Sequence, residues 1–150
     1  MKIITKYQVQ LVKESSKKYD LETKHITSPE IASYVICTVF QLDVSPQEKF
    51  VVLSLNSKNA VIGAFEVFAG SINSSIVHPR EIFQRLLLTN AKSFIAAHNH
   101  PSGDPTPSRE DIEVTKRLVD CGRMMGIELL DHLVIGEDGK YCSLKEKGYV

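Results

Sequence analysis

The sequence predicts a single α+β domain in which helices pack against a sheet. Residues 48–55 contain a nearly continuous apolar run between polar turns, which is typical of a strand buried on both faces. Serine, proline and glutamate at 28–30 supply an N-cap, a first helical residue and an acidic first turn, so they predict a helix start. At 150 residues, the chain is long enough for one hydrophobic core and short for two.

Hydrophobic periodicity and turn residues predict the order of the elements. These are a strand over 3–14, a loop over 15–27, a helix over 29–41, strands over 48–55 and 60–69, a helix from 79 to about 90, a strand over 92–98, a helix capped by Ser108 that ends near 125, and a hairpin over 127–144. The second helix is expected to face inward through Ile82, Phe83, Leu86 and Leu87, and the third through Ile112, Thr115, Val119 and Met124.

The charge balance and the cysteines restrict the class of protein. Lys+Arg and Asp+Glu both number 18, so the formal net charge is zero, which argues against nucleic acid as the main partner. The lysines at 13, 17 and 18 are interpreted as a solvated face. We expect a cytoplasmic protein that is not embedded in a membrane. The reasons are that no apolar window approaches the ~18 residues of a membrane span, the N-terminus lacks a signal-peptide pattern, and the three cysteines form no C-x-x-C motif.

The stretch over residues 98–111 carries the candidate chemistry. His98 and His100 are two residues apart at the end of a predicted strand, so their side chains point the same way, roughly 6.6 Å apart along the backbone. That spacing lets both imidazoles converge on one metal ion at about 2.0–2.1 Å. A turn with three prolines returns the chain to Asp111 in the first turn of the next helix. Two histidines and one carboxylate leave one tetrahedral position open, which is typical of a catalytic zinc site.

Other interpretations of the polar residues stay open at this point. Ser108 and Asp111 fit a capping box, in which both satisfy amides at the helix start; the H-x-H upstream favours the metal interpretation. Ser108 can cap the helix while its hydroxyl faces a substrate at the metal. His25 and His78 are interpreted as structural residues. His132 is interpreted as structural too, with a supporting role behind the metal ligands as the alternative.

At this point the motifs resemble a known family. H-x-H, seven residues and S-x-x-D match the JAMM signature of MPN+ metallopeptidase-like (JAB) domains. HPRE at 78–81, AHNHPSGDPTPS-x-x-D at 97–111 and DHLVIG at 131–136 closely resemble its bacterial RadC-like branch. The resemblance covers about residues 28–150, and residues 1–27 form an N-terminal strand and extension without an assignable motif. It implies an α/β MPN fold, similar to cytidine deaminase, with a mixed, curved sheet flanked by helices.

The resemblance also implies roles for particular residues. It implies Zn²⁺ held by His98, His100 and Asp111, with Ser108 stabilising the tetrahedral intermediate of amide hydrolysis. The family further requires an upstream glutamate as the base that activates water. Glu48 fits this role best because it opens the buried strand after the first helix, and Glu81 in HPRE is the runner-up.

Three functions follow as hypotheses. The first is a zinc metallopeptidase-like hydrolase that cleaves amide or isopeptide bonds of a peptide or protein. The second is a DNA-repair-associated factor or nuclease, although residues 1–27 are too short for the helix-hairpin-helix region of longer RadC-like proteins. The third is an interaction module without meaningful catalysis, for example a homodimer. The complete ligand set favours the first.

Overall fold

A computed structural model of the chain describes residues 1–71 and 77–150. Its regular elements are three helices and five strands within those ranges. In chain order they are α1 (Pro29–Phe40), β1 (Lys49–Leu55), β2 (Val61–Ala69), α2 (Pro79–Leu88), β3 (Ser93–Asn99), α3 (Arg109–Met125), β4 (Glu128–Ile135) and β5 (Tyr141–Ser143). The predicted helices and the predicted strands from residue 48 onward are therefore confirmed, with boundaries shifted by one or two residues.

The strands form one mixed sheet in the order β2-β1-β3-β4-β5. β1 pairs antiparallel with both β2 and β3, while β3 and β4 run parallel and β5 returns antiparallel to β4. The apolar run predicted as a strand buried on both faces is β1, which lies between two neighbours and is almost fully buried. The predicted α+β class is thus confirmed as a mixed α/β arrangement.

The sheet separates two apolar layers. On one face, α1 packs over the sheet through Ala32, Val35 and Ile36. On the other face, α2 and α3 contribute Ile82, Phe83, Leu86, Val114 and Leu118. Alternate residues of β1 and β3 point into the two layers, as the two-residue period of a strand requires.

Local signals set the helix ends. Ser28 Oγ accepts a hydrogen bond from the Ile31 amide at 3.2 Å, and Pro29 occupies the first helical turn of α1. α3 ends at Gly126, whose φ of 69° places it in the left-handed region that favours glycine. Within residues 1–71 and 77–150, none of the helices combines the length and the apolar character that a membrane span requires.

The prediction of a strand over residues 3–14 is wrong. Those residues have no regular secondary structure, and their apolar side chains are exposed. Alternation of apolar and polar residues specifies only which face would be buried. A strand also needs a neighbour for its backbone amides and carbonyls, and the sequence pattern does not supply one.

The inward faces of two helices also differ from the prediction. Thr115 of α3 is buried as expected, but Met124 is 89% exposed, and Val114 and Leu118 take the inward positions instead. On α2, Leu87 faces solvent. Several apolar stripes are compatible with one helical sequence, and packing against the sheet selects the one that is buried.

Two adjacent leucines of α2 test this packing. Leu86 is 0% exposed and Leu87 is 54% exposed. Leu86→Ala should lower the free energy of unfolding by about 2–5 kcal/mol, because it removes buried methyl groups and leaves a cavity. Leu87→Ala, the matched control, should change it by less than about 0.5 kcal/mol. Urea denaturation measures both, and equal losses in the two variants would contradict this assignment of the buried face.

Candidate metal centre

His98 is the next-to-last residue of β3, and its ring is buried on the α2/α3 face of the sheet. Its backbone lies opposite Phe50 in the antiparallel β1–β3 pair. The two rings are stacked, with centroids 6.1 Å apart and planes within 6° of parallel. Strand register and ring packing together hold the His98 imidazole in one orientation.

A tight turn after β3 places the second histidine. The His100 amide donates to the Ile135 carbonyl at 2.9 Å, which ties the turn to the end of β4. Gly103 has a φ of +87°, and its carbonyl oxygen would lie only 2.4 Å from a Cβ added at Gly136. Both glycines are therefore required for this close backbone approach. The chain then enters α3, with Asp111 in its first turn.

Three donor groups meet at this point. His98 Nε2 lies 3.3 Å from His100 Nε2 and 3.1 Å from Asp111 Oδ1, while His100 Nε2 lies 3.1 Å from Asp111 Oδ2. Donors about 2.0–2.1 Å from a tetrahedral zinc ion are separated by roughly 3.3–3.4 Å. The observed separations are close to that spacing, so the three side chains that the sequence singled out could hold a metal ion.

The hydrogen bond at Nδ1 of His100, on the side of the ring away from the other donors, also favours a metal site. Its Nδ1 lies 2.8 Å from the carbonyl oxygen of Asp104, and a carbonyl can only accept. Nδ1 therefore carries the proton in the neutral ring, and Nε2 is the nitrogen that a metal would bind. Because a carboxylate only accepts, the hydrogen bond from Nε2 to Asp111 needs the doubly protonated ring, and it raises the pKa of His100 against the lowering effect of burial. A metal at Nε2 would replace that proton. Burial alone would raise the pKa of Asp111, but hydrogen bonds from His100 and His98 outweigh it and hold that pKa well below its usual range.

The capping box of α3 forms as well. Ser108 Oγ accepts from the Asp111 amide at 3.1 Å, and Asp111 Oδ2 accepts from the Ser108 amide at 2.7 Å. The two interpretations of Ser-x-x-Asp are therefore compatible, because the carboxylate reaches the helix start and the histidines together. Since the Ser108 hydroxyl oxygen acts as the acceptor in this box, its own proton can be donated elsewhere.

Asn99 fixes the segment that carries Glu48. Its side chain is buried, and its Oδ1 accepts from the Lys49 amide at 2.8 Å. Its Nδ2 donates to the carbonyl oxygens of Gln47 at 3.1 Å and Ser45 at 3.3 Å. These bonds clamp the backbone on both sides of Glu48, which is half-buried.

The two glutamates considered as the base have different surroundings. The negative charge of Glu48 contributes to the raised pKa of His100, so Glu48 acts electrostatically on the triad. Glu81 pairs with Arg85, one turn along α2, at 3.5 Å. The electrostatic contribution to His100 is consistent with Glu48, and its role as a base stays a prediction.

The sequence analysis interpreted His132 as structural, with a supporting role behind the metal ligands as the alternative, and did not connect it with Thr115. His132 Nε2 lies 2.8 Å from His98 Nδ1, and its Nδ1 lies 2.6 Å from Thr115 Oγ1. Burial holds the pKa of His132 well below its ordinary value, so its ring is neutral. The sequence signal that could have indicated this role is the histidine within the otherwise apolar strand sequence DHLVIG, because a buried histidine needs hydrogen-bond partners. The remaining histidines, at 25 and 78, are exposed.

The fold and the triad together define a class of protein. A five-stranded mixed sheet flanked by three helices, with two histidines and an aspartate at the end of a central strand, is consistent with the MPN/JAB-like fold. The family model described as the RadC-like JAB domain matches residues 26–149. The chain therefore belongs to the RadC-like JAB family, and the resemblance noted in the sequence is confirmed.

Relatives from Bacillus are similar over most of this chain. The UPF0758 protein YsxA of Bacillus subtilis (strain 168) is 68% identical over 104 residues, which are 69% of this chain and 45% of the relative. A UPF0758 protein of Bacillus pumilus (strain SAFR-032) is 67% identical over 104 residues, or 69% and 46% of the two chains. One from Bacillus mycoides (strain KBAB4) is 58% identical over 126 residues, or 83% and 54%. The chain thus spans about half the length of these relatives.

The clamp around Glu48 can be tested through Asn99. Asn99→Ala should lower the free energy of unfolding by about 1–3 kcal/mol, because it removes three hydrogen bonds to part-buried backbone groups. In the variant, the Lys49 amide should exchange with deuterium faster than in the wild type. The Leu53 amide, inside β1, serves as the control: its exchange should speed up only as much as the lower overall stability requires. Metal binding should persist, since Asn99 contacts none of the three donor atoms. Unchanged exchange at Lys49 would contradict the clamp.

Proposed function

We propose that this chain is a zinc-dependent hydrolase that cleaves amide bonds in a peptide or protein substrate. The observation that carries the proposal is the convergence of His98 Nε2, His100 Nε2 and the Asp111 carboxylate within 3.3 Å of one another. A purely structural role would not need three metal-binding groups at this spacing. The chain spans about half the length of these relatives. Any activity of a protein of the full length is therefore also a proposal.

The donor set fits zinc. His98 and His100 would hold the ion through their imidazole nitrogens and Asp111 through a carboxylate oxygen, and three such donors would leave a ligand position for water or substrate. Iron and manganese accept the same donors, and metal availability decides among them in the cell. When bound, the metal would lower the pKa of a water and polarise the carbonyl of the scissile amide.

Glu48 would move the protons of the reaction. It would accept one proton from the attacking water and later donate it to the nitrogen of the leaving amine. The water oxygen then ends on the carbonyl carbon, the carbon–nitrogen bond breaks, and a carboxylic acid and an amine result. The Asn99 clamp would keep Glu48 in place through both transfers.

Ser108 would stabilise charge on the substrate oxygen. Its hydroxyl oxygen is already held by the Asp111 amide, so the direction of its proton is restricted. A donor fixed in advance stabilises a developing oxyanion without reorganising in the transition state. The capping box thus orients Ser108 as well as beginning the helix.

The surface around Glu48 contains a depression near His100. Among the described residues it is lined by Gln47, Glu48, Gly70 and Pro101, and Pro101 directly follows His100 in the chain. We infer that part of the substrate would bind there, next to the candidate base. Equal numbers of acidic and basic residues disfavour nucleic acid as the substrate.

Metal content tests the donor set. Wild-type protein purified without chelator should contain about one zinc per chain, measured by inductively coupled plasma mass spectrometry. Asp111→Asn should lose most of it, because one of the three donors loses its charge. Asp120→Asn, on the exposed face of the same helix, is the matched control and should keep it. Full occupancy in Asp111→Asn, or none in wild type after zinc is added, would refute the site.

Glutamate substitutions test the base. Glu48→Gln should keep its zinc, but its rate of hydrolysis of a fluorogenic peptide or isopeptide library should fall by about 10²–10⁴-fold. The reason is that the glutamine side chain cannot accept the proton from water. Glu81→Gln should retain wild-type activity. The reverse pattern would assign the base to Glu81, and full activity in both variants would exclude either glutamate as the base.

A further inference from the structure

A chain of buried polar side chains runs behind His98. It consists of His98 on β3, His132 on β4 and Thr115 on α3, and all three are almost completely inaccessible to solvent. We propose that Thr115 and His132 form a hydrogen-bond relay that fixes the tautomer of His98 and presents its Nε2 lone pair to the metal. The inference rests on the proposed function only in taking the triad as a metal site.

The direction of the relay begins at a backbone carbonyl. Thr115 Oγ1 lies 2.8 Å from the carbonyl oxygen of Asp111, one turn earlier in α3. Because a carbonyl oxygen can only accept, the Thr115 hydroxyl proton is used there. The oxygen of that hydroxyl is then the acceptor in its 2.6 Å contact with His132 Nδ1. The hydrogen-bond pattern therefore places a proton on Nδ1 of His132.

The second half of the relay follows from the neutral imidazole. A ring that carries its proton on Nδ1 has an unprotonated Nε2, which accepts. His132 Nε2 lies 2.8 Å from His98 Nδ1, so His98 donates from Nδ1. His98 Nε2 is then the nitrogen that faces His100 and Asp111, where a metal would replace the proton of its hydrogen bond to Asp111.

The opposite proton order would disable the ligand. If Thr115 donated to His132 instead, His132 would donate from Nε2 and His98 would accept at Nδ1. The proton of neutral His98 would then sit on Nε2 and point at the metal position. The Asp111 carbonyl prevents this order by engaging the Thr115 proton, so one hydroxyl sets the state of both rings.

Packing holds the relay in place. Phe50 stacks on His98 and meets His132 edge-on, with centroids 5.5 Å apart and an interplanar angle of 63°. Asp111 contacts both ends of the relay: its side chain faces His98 Nε2, and its backbone oxygen accepts the hydrogen bond from Thr115. One residue in the first turn of α3 therefore positions the first and the last member of the relay.

Zinc affinity tests the relay directly. Thr115→Val keeps the shape of the side chain and removes the hydroxyl, whereas Thr115→Ser keeps the hydroxyl. Competition for zinc with a chromogenic chelator should show about 10–100-fold weaker binding in Thr115→Val and wild-type binding in Thr115→Ser. Thermal denaturation of the metal-free variants is measured in parallel. A purely structural threonine would lower stability and leave the zinc affinity of the folded protein unchanged, and that result would overturn the relay.

Histidine NMR provides a readout that does not depend on activity. In protein labelled with ¹⁵N-histidine, long-range ¹H–¹⁵N spectra should show His132 protonated on Nδ1 and unprotonated on Nε2, with or without zinc. A His132 protonated on Nε2 would overturn the relay. Wild type with the expected tautomer and no affinity for zinc would support the relay and refute the proposed function. Equal zinc binding by wild type and Thr115→Val would overturn the relay and leave the metal site intact.

Discussion

The parallel pairing of β3 with β4 is the constraint on which the site depends. Two adjacent parallel strands cannot be joined by a tight turn, so the chain must cross over the sheet, and α3 forms that crossover. The crossover starts at the end of β3 that carries His98. A helix begun there brings its first turn, and Asp111 with it, next to the last residues of the strand. The meeting of the three donor groups is therefore a consequence of topology.

Asp111 carries several structural duties in one residue. Its carboxylate completes the capping box of α3 and faces both histidines, and its backbone oxygen anchors Thr115. Removing a carboxylate from water is unfavourable, and the surrounding donors more than compensate, as its lowered pKa indicates. Helix geometry, donor geometry and histidine protonation are consequently coupled at a single position.

Short-range features of the site could be predicted from the sequence. His98, His100 and Asp111 lie within fourteen residues, and strand alternation with a proline turn was enough to expect them together. The same holds for the helix starts, where serine or proline acts locally. The contacts of His132 with His98 and Thr115 join residues 34 and 17 positions apart, and they depend on strand order and helix rotation.

The errors have the same origin. The alternation over residues 3–14 is a local pattern whose fulfilment needs a neighbouring strand. The exposure of Leu87 and Met124 was missed because helical periodicity allows more than one apolar stripe. In each case the deciding interaction comes from a distant part of the chain, which a single sequence does not reveal.

The separation of the two apolar layers has a consequence for how this protein can change. His98, His132 and the helices α2 and α3 share one face of the sheet, while α1 and its partners lie on the other. Substitutions far apart and without shared contacts have nearly additive effects. Substitutions on α1, at Ala32, Val35 or Ile36, should therefore change the stability of the protein more than the arrangement of the site on the opposite face.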